Sequence, residues 1–195
     1  NDIGPEGGAA LALGLKNNRS VTELTMARCG LGPGGGKALG RALETNCVLR
    51  TLDITQNDLG VEGGVAFGRA LASNTALRTL GMRFNRIGFG LERATAFAKA
   101  LESNTTLTSL DMAQNELGEL GAEAFAAALT VNRGLTTLNL RRNEIGPRGG
   151  EALGVALGAN SVLTSVDASD NELGPLGAAA CGAALRRNAT LATLN

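Results

Sequence analysis

A 28-residue period constrains this chain more than any other feature. Aligned on their apolar runs, the units start at Val21, Leu49, Leu77, Leu107, Leu135, Leu163 and Leu191, and every step is 28 residues except the third, which is 30. The clearest copy is Leu135–Asn160, LTTLNLRRNEIGPRGGEALGVALGAN. A unit this short cannot bury its own apolar face, so it must stack on its neighbours. Length then counts repeats and says little about the number of cores.

Each unit divides into two periodicities. Leu138 and Leu140 alternate with Asn139, which puts both leucines on one face of a strand. Leu24/Met26, Leu52/Ile54, Leu80/Met82, Leu110/Met112 and Val166/Ala168 are the equivalent pairs. After a turn at Ile145-Gly146, Ala152, Leu153, Ala156 and Leu157 share one face of a helix. A Gly column (Gly35, Gly63, Gly121, Gly149, Gly177) precedes that face, where the backbone must turn sharply or approach closely. An Asn column (Asn46, Asn74, Asn104, Asn132, Asn160, Asn188) follows it, and is expected to end each helix in the left-handed conformation. An Ala column (Ala38, Ala66, Ala96, Ala124, Ala152, Ala180) is expected to hold the helices close to the sheet.

Strand, helix and next strand make a parallel crossover, which is right-handed by rule. Strands stack at about 4.8 Å and packed helices at about 8–10 Å. Strands should therefore line the inner arc and helices the outer arc of a curved solenoid. The expected domain is a single solenoid over residues 1–195. Asn1-Asp2-Ile3-Gly4 matches the turn of a unit and Leu191–Asn195 the start of one, so the array is expected to be cut within a repeat at both ends, with end-to-end self-association open to it.

Composition removes several classes of function. Lys plus Arg equals Asp plus Glu at 18 each, so no net field favours nucleic acid or an anionic membrane. The chain has no His, the commonest general base and transition-metal ligand. No apolar run approaches the roughly 20 residues of a membrane span. Cys29, Cys47 and Cys181 are an odd set at unrelated positions, which disfavours a disulfide framework and favours a reducing compartment. Cys181 falls in the column of Leu39, Phe67, Phe97, Phe125 and Leu153, and is expected to be buried like them.

The period also accounts for most motifs that imitate function. Cys29, Asn57, Asn85, Asn115, Asn143 and Asn171 form a polar column just after the strands. Asn has both a donor and an acceptor for the unpaired backbone of a tight turn, so the column is read as a structural ladder. Gly30-Leu31-Gly32-Pro33-Gly34-Gly35 fits a dinucleotide-binding pattern, yet Gly32 and Gly35 are ordinary column members. Asn18, Asn104 and Asn188 begin glycosylation sequons, but they fall in the helix-ending column. No cofactor or metal is expected.

The repeated L-x-x-L-x-L-x-x-N-x-L-G with its following A-L-x-x-A-L helix resembles the leucine-rich repeat family in its ribonuclease-inhibitor-like class. The resemblance covers essentially the whole chain. It implies an α/β solenoid of about six and a half units, with parallel strands on the concave face and helices on the convex face. That class also forms the repeat regions of innate immune NLR receptors, Ran GTPase-activating proteins and some bacterial effectors. The expected function is a non-catalytic protein-recognition scaffold within a larger sensor or effector, acting in the cytoplasm or delivered to a host cytoplasm. Its partner would be a protein, with neither nucleic acid nor membrane involved. Two alternatives are a GTPase-activating protein like the Ran-directed family, working from residues such as Asn143 or Arg142, and a self-assembling structural array.

Departures from the period mark the candidate partner site. On the strand face, Asp53, Asp111 and Asn139 lie in one outward column. Arg141 and Arg142 follow in a second. The third unit is two residues longer, between Gly88 and Ala96, and carries both aromatics that fall outside core columns. Arg83, Phe84, Arg86 and Phe89 are therefore grouped as a candidate hot spot, because Arg and aromatics are enriched at binding centres.

Overall fold

The computed structural model describes residues 1–88 and 91–195. Seven helices and seven strands alternate among the described residues: α1 (Gly4–Asn17), β1 (Glu23–Thr25), α2 (Gly32–Leu43), β2 (Thr51–Asp53), α3 (Gly60–Ser73), β3 (Thr79–Gly81), α4 (Leu91–Ser103), β4 (Ser109–Asp111), α5 (Gly118–Val131), β5 (Thr137–Asn139), α6 (Gly146–Ala159), β6 (Ser165–Asp167), α7 (Gly174–Leu185) and β7 (Thr193–Leu194). The strands form one parallel sheet in the order β1 to β7. The register advances one unit per strand: Leu52 pairs with Leu80, Leu80 with Leu110 and Leu110 with Leu138. This is the α/β leucine-rich solenoid expected from the period.

The core lies between sheet and helices and runs the length of the array. Its strand side is Leu52, Ile54, Leu80, Met82, Leu110, Met112, Leu138 and Leu140, and its helix side includes Leu39, Phe67, Phe97, Phe125 and Leu153, all buried. Phe97 and Phe125 stack with centroids 5.6 Å apart and rings inclined by 16°. Cys181 departs from this column. It is only half-buried, and partial burial pushes its thiol above the usual cysteine range.

The Ala column divides. Ala38, Ala124 and Ala152 are half-buried and pack against the core between helix and sheet, whereas Ala66 and Ala180 meet the preceding helix: a Cβ built on Gly40 would lie 2.7 Å from Ala66 Cβ, and one on Gly154 would lie 2.5 Å from Ala180 Cβ. Ala96 is exposed. Helix packs on helix through small residues, with backbones nearly in contact, and the α6/α7 pair is the most closely packed. This close approach narrows the mismatch between strand and helix spacing that drives curvature.

The helix-ending Asn column also differs from expectation. Asn74, Asn132 and Asn160 are extended, with φ/ψ of −73/125°, −60/136° and −84/131°. Each side chain closes a local turn instead: Asn74 Oδ1 accepts from the amides of Ala76 and Leu77, while its Nδ2 donates to Leu43 O and Asn46 O of the preceding unit. An extended backbone feeds the chain straight into the next strand, and a helix-end carbonyl that a left-handed cap would have satisfied is met by the Asn of the next unit, as Asn104 Nδ2 meets Leu71 O of α3. The same geometry engages the sequons. Nδ2 of Asn104 donates to Leu71 O and Asn74 O, and Nδ2 of Asn188 to Leu157 O and Asn160 O. The nitrogen a glycan would need is already committed at both sites.

Candidate functional site

The strand-to-helix edge is built on the second Asn column. Asn57, Asn85, Asn115, Asn143 and Asn171 are buried. Asn115 is representative: its Nδ2 donates to Met112 O and Ala113 O in its own unit and to Met82 O in the unit before, and its Oδ1 accepts from the amide of Asn85. The backbone completes the link, as Asn115 O accepts from Gly88 N and Asn143 O from Gly118 N. Cys29 stands at the first position. Its Sγ reaches Ala27 O at 3.5 Å, and its amide donates to Asn57 Oδ1.

This ladder dictates what the edge displays. The residues on either side of each Asn take positive φ: Gln56 and Asp58, Phe84 and Arg86, Gln114 and Glu116, Arg142 and Glu144, Asp170 and Glu172. Non-Gly residues rarely occupy this region. Here an inward Asn held by its neighbours on both sides imposes it, and the flanking side chains turn outward. Phe84 is thus 44% exposed, a large aromatic on a left-handed residue.

Lateral bonds hold the arginines of this edge. Arg83 Nε and Nη2 donate to Gln114 Oε1 at 3.1 and 2.9 Å. Arg86 pairs with Asp58 at 3.3 Å. Arg141 and Arg142 both reach Asp170 Oδ2, at 2.7 and 3.0 Å. Hydrogen bonds from Arg141 and then Arg142 hold the Asp170 carboxyl below the usual carboxylate range. A cleft of about 370 Å³ opens beside Phe84, lined by Gly30, Gly32, Gln56, Asn57, Asp58 and Arg86. It exists because Gly30 occupies the column where later units carry Asp58, Arg86, Glu116, Glu144 and Glu172. The glycines of the apparent dinucleotide pattern therefore serve a turn and a groove: Gly30 and Gly32 have φ of 64° and 56°, and Gly35 packs against Leu31 and the backbone of Pro5.

On the sheet face, the acidic column is bound to its own turns. Asp53 Oδ1 accepts from Thr55 N, Asp111 from Ala113 N, Asn139 from Arg141 N and Asp167 from Ser169 N. Gly81 lies between Asp53 and Asp111 in the register. Burial pushes the Asp111 carboxyl above its ordinary range, against the opposing effects of the Ala113 amide, Arg83 and Asn139. A folded-state pKa raised in an acid means that stability falls as pH rises from the ordinary carboxylate pKa through the raised one. Asp111→Asn keeps the acceptor for Ala113 N, as Asn139 does for Arg141 N, and removes the buried charge. It is expected to raise the melting temperature at pH 7 and to leave it unchanged at pH 3. An equal shift at both pH values would rule out the charge as the cause.

The fold thus brings Arg83, Phe84 and Arg86 into one exposed patch, with Asp53 and Asp111 on the adjoining sheet face. Asn139, Arg141 and Arg142 form a second patch two strands away. Phe89 lies outside the described residues. Asp58, Gln114 and Asp170 hold the arginines laterally and were not singled out by the sequence, although each is visible in it as a column neighbour of an Arg in the adjacent unit. Among the described residues, no group of His, Cys, Asp and Glu is arranged to hold a metal ion, and no helix is long and apolar enough to cross a membrane.

The chain's similarities follow this geometry. The leucine-rich repeat profile matches residues 17–40, 45–68, 103–126 and 131–154, which is four of the units. No curated protein matches the chain by sequence. Among solved structures, the leiomodin-1 actin-binding site 2 superposes with a TM-score of 0.65 at 22% identity, over 76% of this chain and 86% of that one. The tropomodulin C-terminal domain of Caenorhabditis elegans gives 0.63 at 10% identity, over 78% and 92%. The leucine-rich repeat-containing protein LegL7 of Legionella pneumophila gives 0.63 at 18% identity, over 96% and 59%. At these identities the likeness is one of fold. The four matched units, the parallel one-strand-one-helix repeat and the buried Asn ladder together place the chain in the leucine-rich repeat family, in its ribonuclease-inhibitor-like class.

Proposed function

We propose that the chain is a non-catalytic protein-recognition scaffold, the repeat region of a larger cytoplasmic sensor or effector, and that Arg83, Phe84 and Arg86 centre its partner site. The observation that carries this reading is Phe84. It is an exposed aromatic on a left-handed residue, beside a cleft and flanked by two laterally held arginines. Such preorganisation lowers the entropy lost on binding, and an aromatic with arginines is the composition of a hot spot. A reading without catalysis is supported by the absence of His and by carboxylates that serve backbone turns. A reducing compartment is supported by three free cysteines. Monomeric actin is one defined protein worth assaying, because leiomodin-1 carries an actin-binding site on this fold.

Replacing Arg83 and Phe84 together with Ala is expected to weaken partner capture by about tenfold to a hundredfold, on the scale of hot-spot truncations. The melting temperature should stay within a few degrees, since both side chains are exposed. Quantitative affinity capture with wild-type and R83A/F84A chains measures this. If every protein retained by the wild type is retained equally by the variant, the site lies elsewhere.

A further inference from the structure

The two edges of the solenoid treat charge differently. The strand-to-helix loops hold five arginines and five acidic residues, and every ion pair among the described residues lies there. The helix-to-strand loops hold six arginines (Arg19, Arg50, Arg78, Arg133, Arg186, Arg187) and one acid, Glu44. A net charge of zero therefore conceals an uncompensated basic edge. Part of this follows from helix dipoles, which favour cations near helix C-termini.

Arg50 and Arg78 exceed that explanation. They occupy the residue just before the strand, where later units carry Thr108, Thr136 and Thr164. Those threonine hydroxyls donate to Arg78 O, Thr108 O and Thr136 O, the carbonyls of the unit before. In two consecutive units the hydroxyl gives way to a guanidinium. Arg50 Nη1 donates to Ala76 O at 3.1 Å and Arg78 Nη1 to Thr106 O at 3.4 Å. Each fork is thus steadied by a backbone carbonyl while its other donors face solvent. Consecutive backbone bonding, Arg78 N to Arg50 O and Thr108 N to Arg78 O, keeps the two residues one strand apart, about 4.8 Å. Two like charges at that spacing gain from a shared anionic partner.

We infer that this edge is a second docking surface, independent of the Phe84 patch, and that Arg50 and Arg78 receive an acidic helix of a partner protein. Carboxylates at i and i+4 of a helix stand about 5–6 Å apart, which matches one-strand spacing. Single-stranded nucleic acid is the weaker fit because it needs aromatic platforms, and the helix-to-strand loops contain no aromatic residue.

The test uses the full chain and a labelled 15-residue helical peptide with glutamates at i,i+4, read by fluorescence anisotropy at low ionic strength. A peptide of the same composition with scattered glutamates, single-stranded DNA of equal charge and phosphatidylserine vesicles are the comparison probes. Saturable binding of the i,i+4 peptide is expected, weakened about tenfold or more by R50A/R78A and less by R50K/R78K, which keeps charge without the fork. K37A/R148A removes the same charge from the outer surface and should leave binding within twofold. Thermal melts of all variants should agree. No peptide binding, equal binding of the scattered peptide, tighter binding of DNA or vesicles, or indifference to R50A/R78A would each overturn the inference.

Discussion

Asn115→Ala should lower stability by about 3 kcal/mol, which for a chain of this size is a fall in melting temperature of about 6–12 °C. Asn115 is fully buried. Its amide satisfies Met82 O, Met112 O and Ala113 O, and its carbonyl satisfies Asn85 N. Truncation orphans the buried Asn85 amide, at about 1–3 kcal/mol, and removes one of two donors from each of Met82 O, Met112 O and Ala113 O, which keep Asn85 Nδ2, Asn143 Nδ2 and Phe84 N. The damage should be local, because repeat arrays are stabilised by nearest-neighbour interfaces. Amide exchange should accelerate first at Asn85, which loses its acceptor. Asn115→Asp, nearly identical in shape, is expected to be at least as harmful at pH 7, since the oxygen in place of Nδ2 would face three carbonyls, and less harmful in acid. Wild-type stability in either variant would mean that the ladder is dispensable.

Gly154→Ala is expected to cost about 2–3 kcal/mol, the scale of overpacking, although Ala is the better helix former by about 1 kcal/mol. The new Cβ would lie 2.5 Å from Ala180 Cβ, 2.6 Å from Ala180 C and 2.7 Å from Cys181 N. Backbone cannot rotate away, so α6 and α7 must separate along their length. Gly14→Ala reverses the sign. Its Cβ would meet nothing within 4 Å, so the propensity gain of about 0.5–1 kcal/mol should appear as added stability. Denaturant titration of the two variants checks both signs. If G154A proves as stable as wild type, the helix interface is looser than its glycines imply.

The two substitutions mark where sequence reading reached and where it stopped. Asn115 and its column were legible because a polar residue recurring at one phase beside alternating leucines has few physical uses. The strand and helix of every unit were legible for the same reason: periods of 2 and 3.6 residues leave separate imprints. The conformation of the helix-ending Asn was not. Asn is compatible with a left-handed cap and with a side-chain-closed turn, and only the position of the next strand selects the extended one. Nor was the division of the Ala column between the core and the neighbouring helix, since one helical face can meet either until stacking decides.

The candidate surfaces divide likewise. Arg83, Phe84 and Arg86 stood out as departures from the period. The positive φ of Phe84 and Arg86 comes from the buried Asn85 between them, and Gln114 and Asp58, the lateral partners of Arg83 and Arg86, come from adjacent units. The basic edge escaped notice because net charge sums over the molecule, while a partner meets only one side of it. By itself the sequence determined the repeating unit, its core columns and the ladder, because those are local periodicities that burial enforces in each copy. Only the tertiary structure decided which side chains of neighbouring copies stand together at each edge, because residues 28 positions apart become neighbours only when units stack.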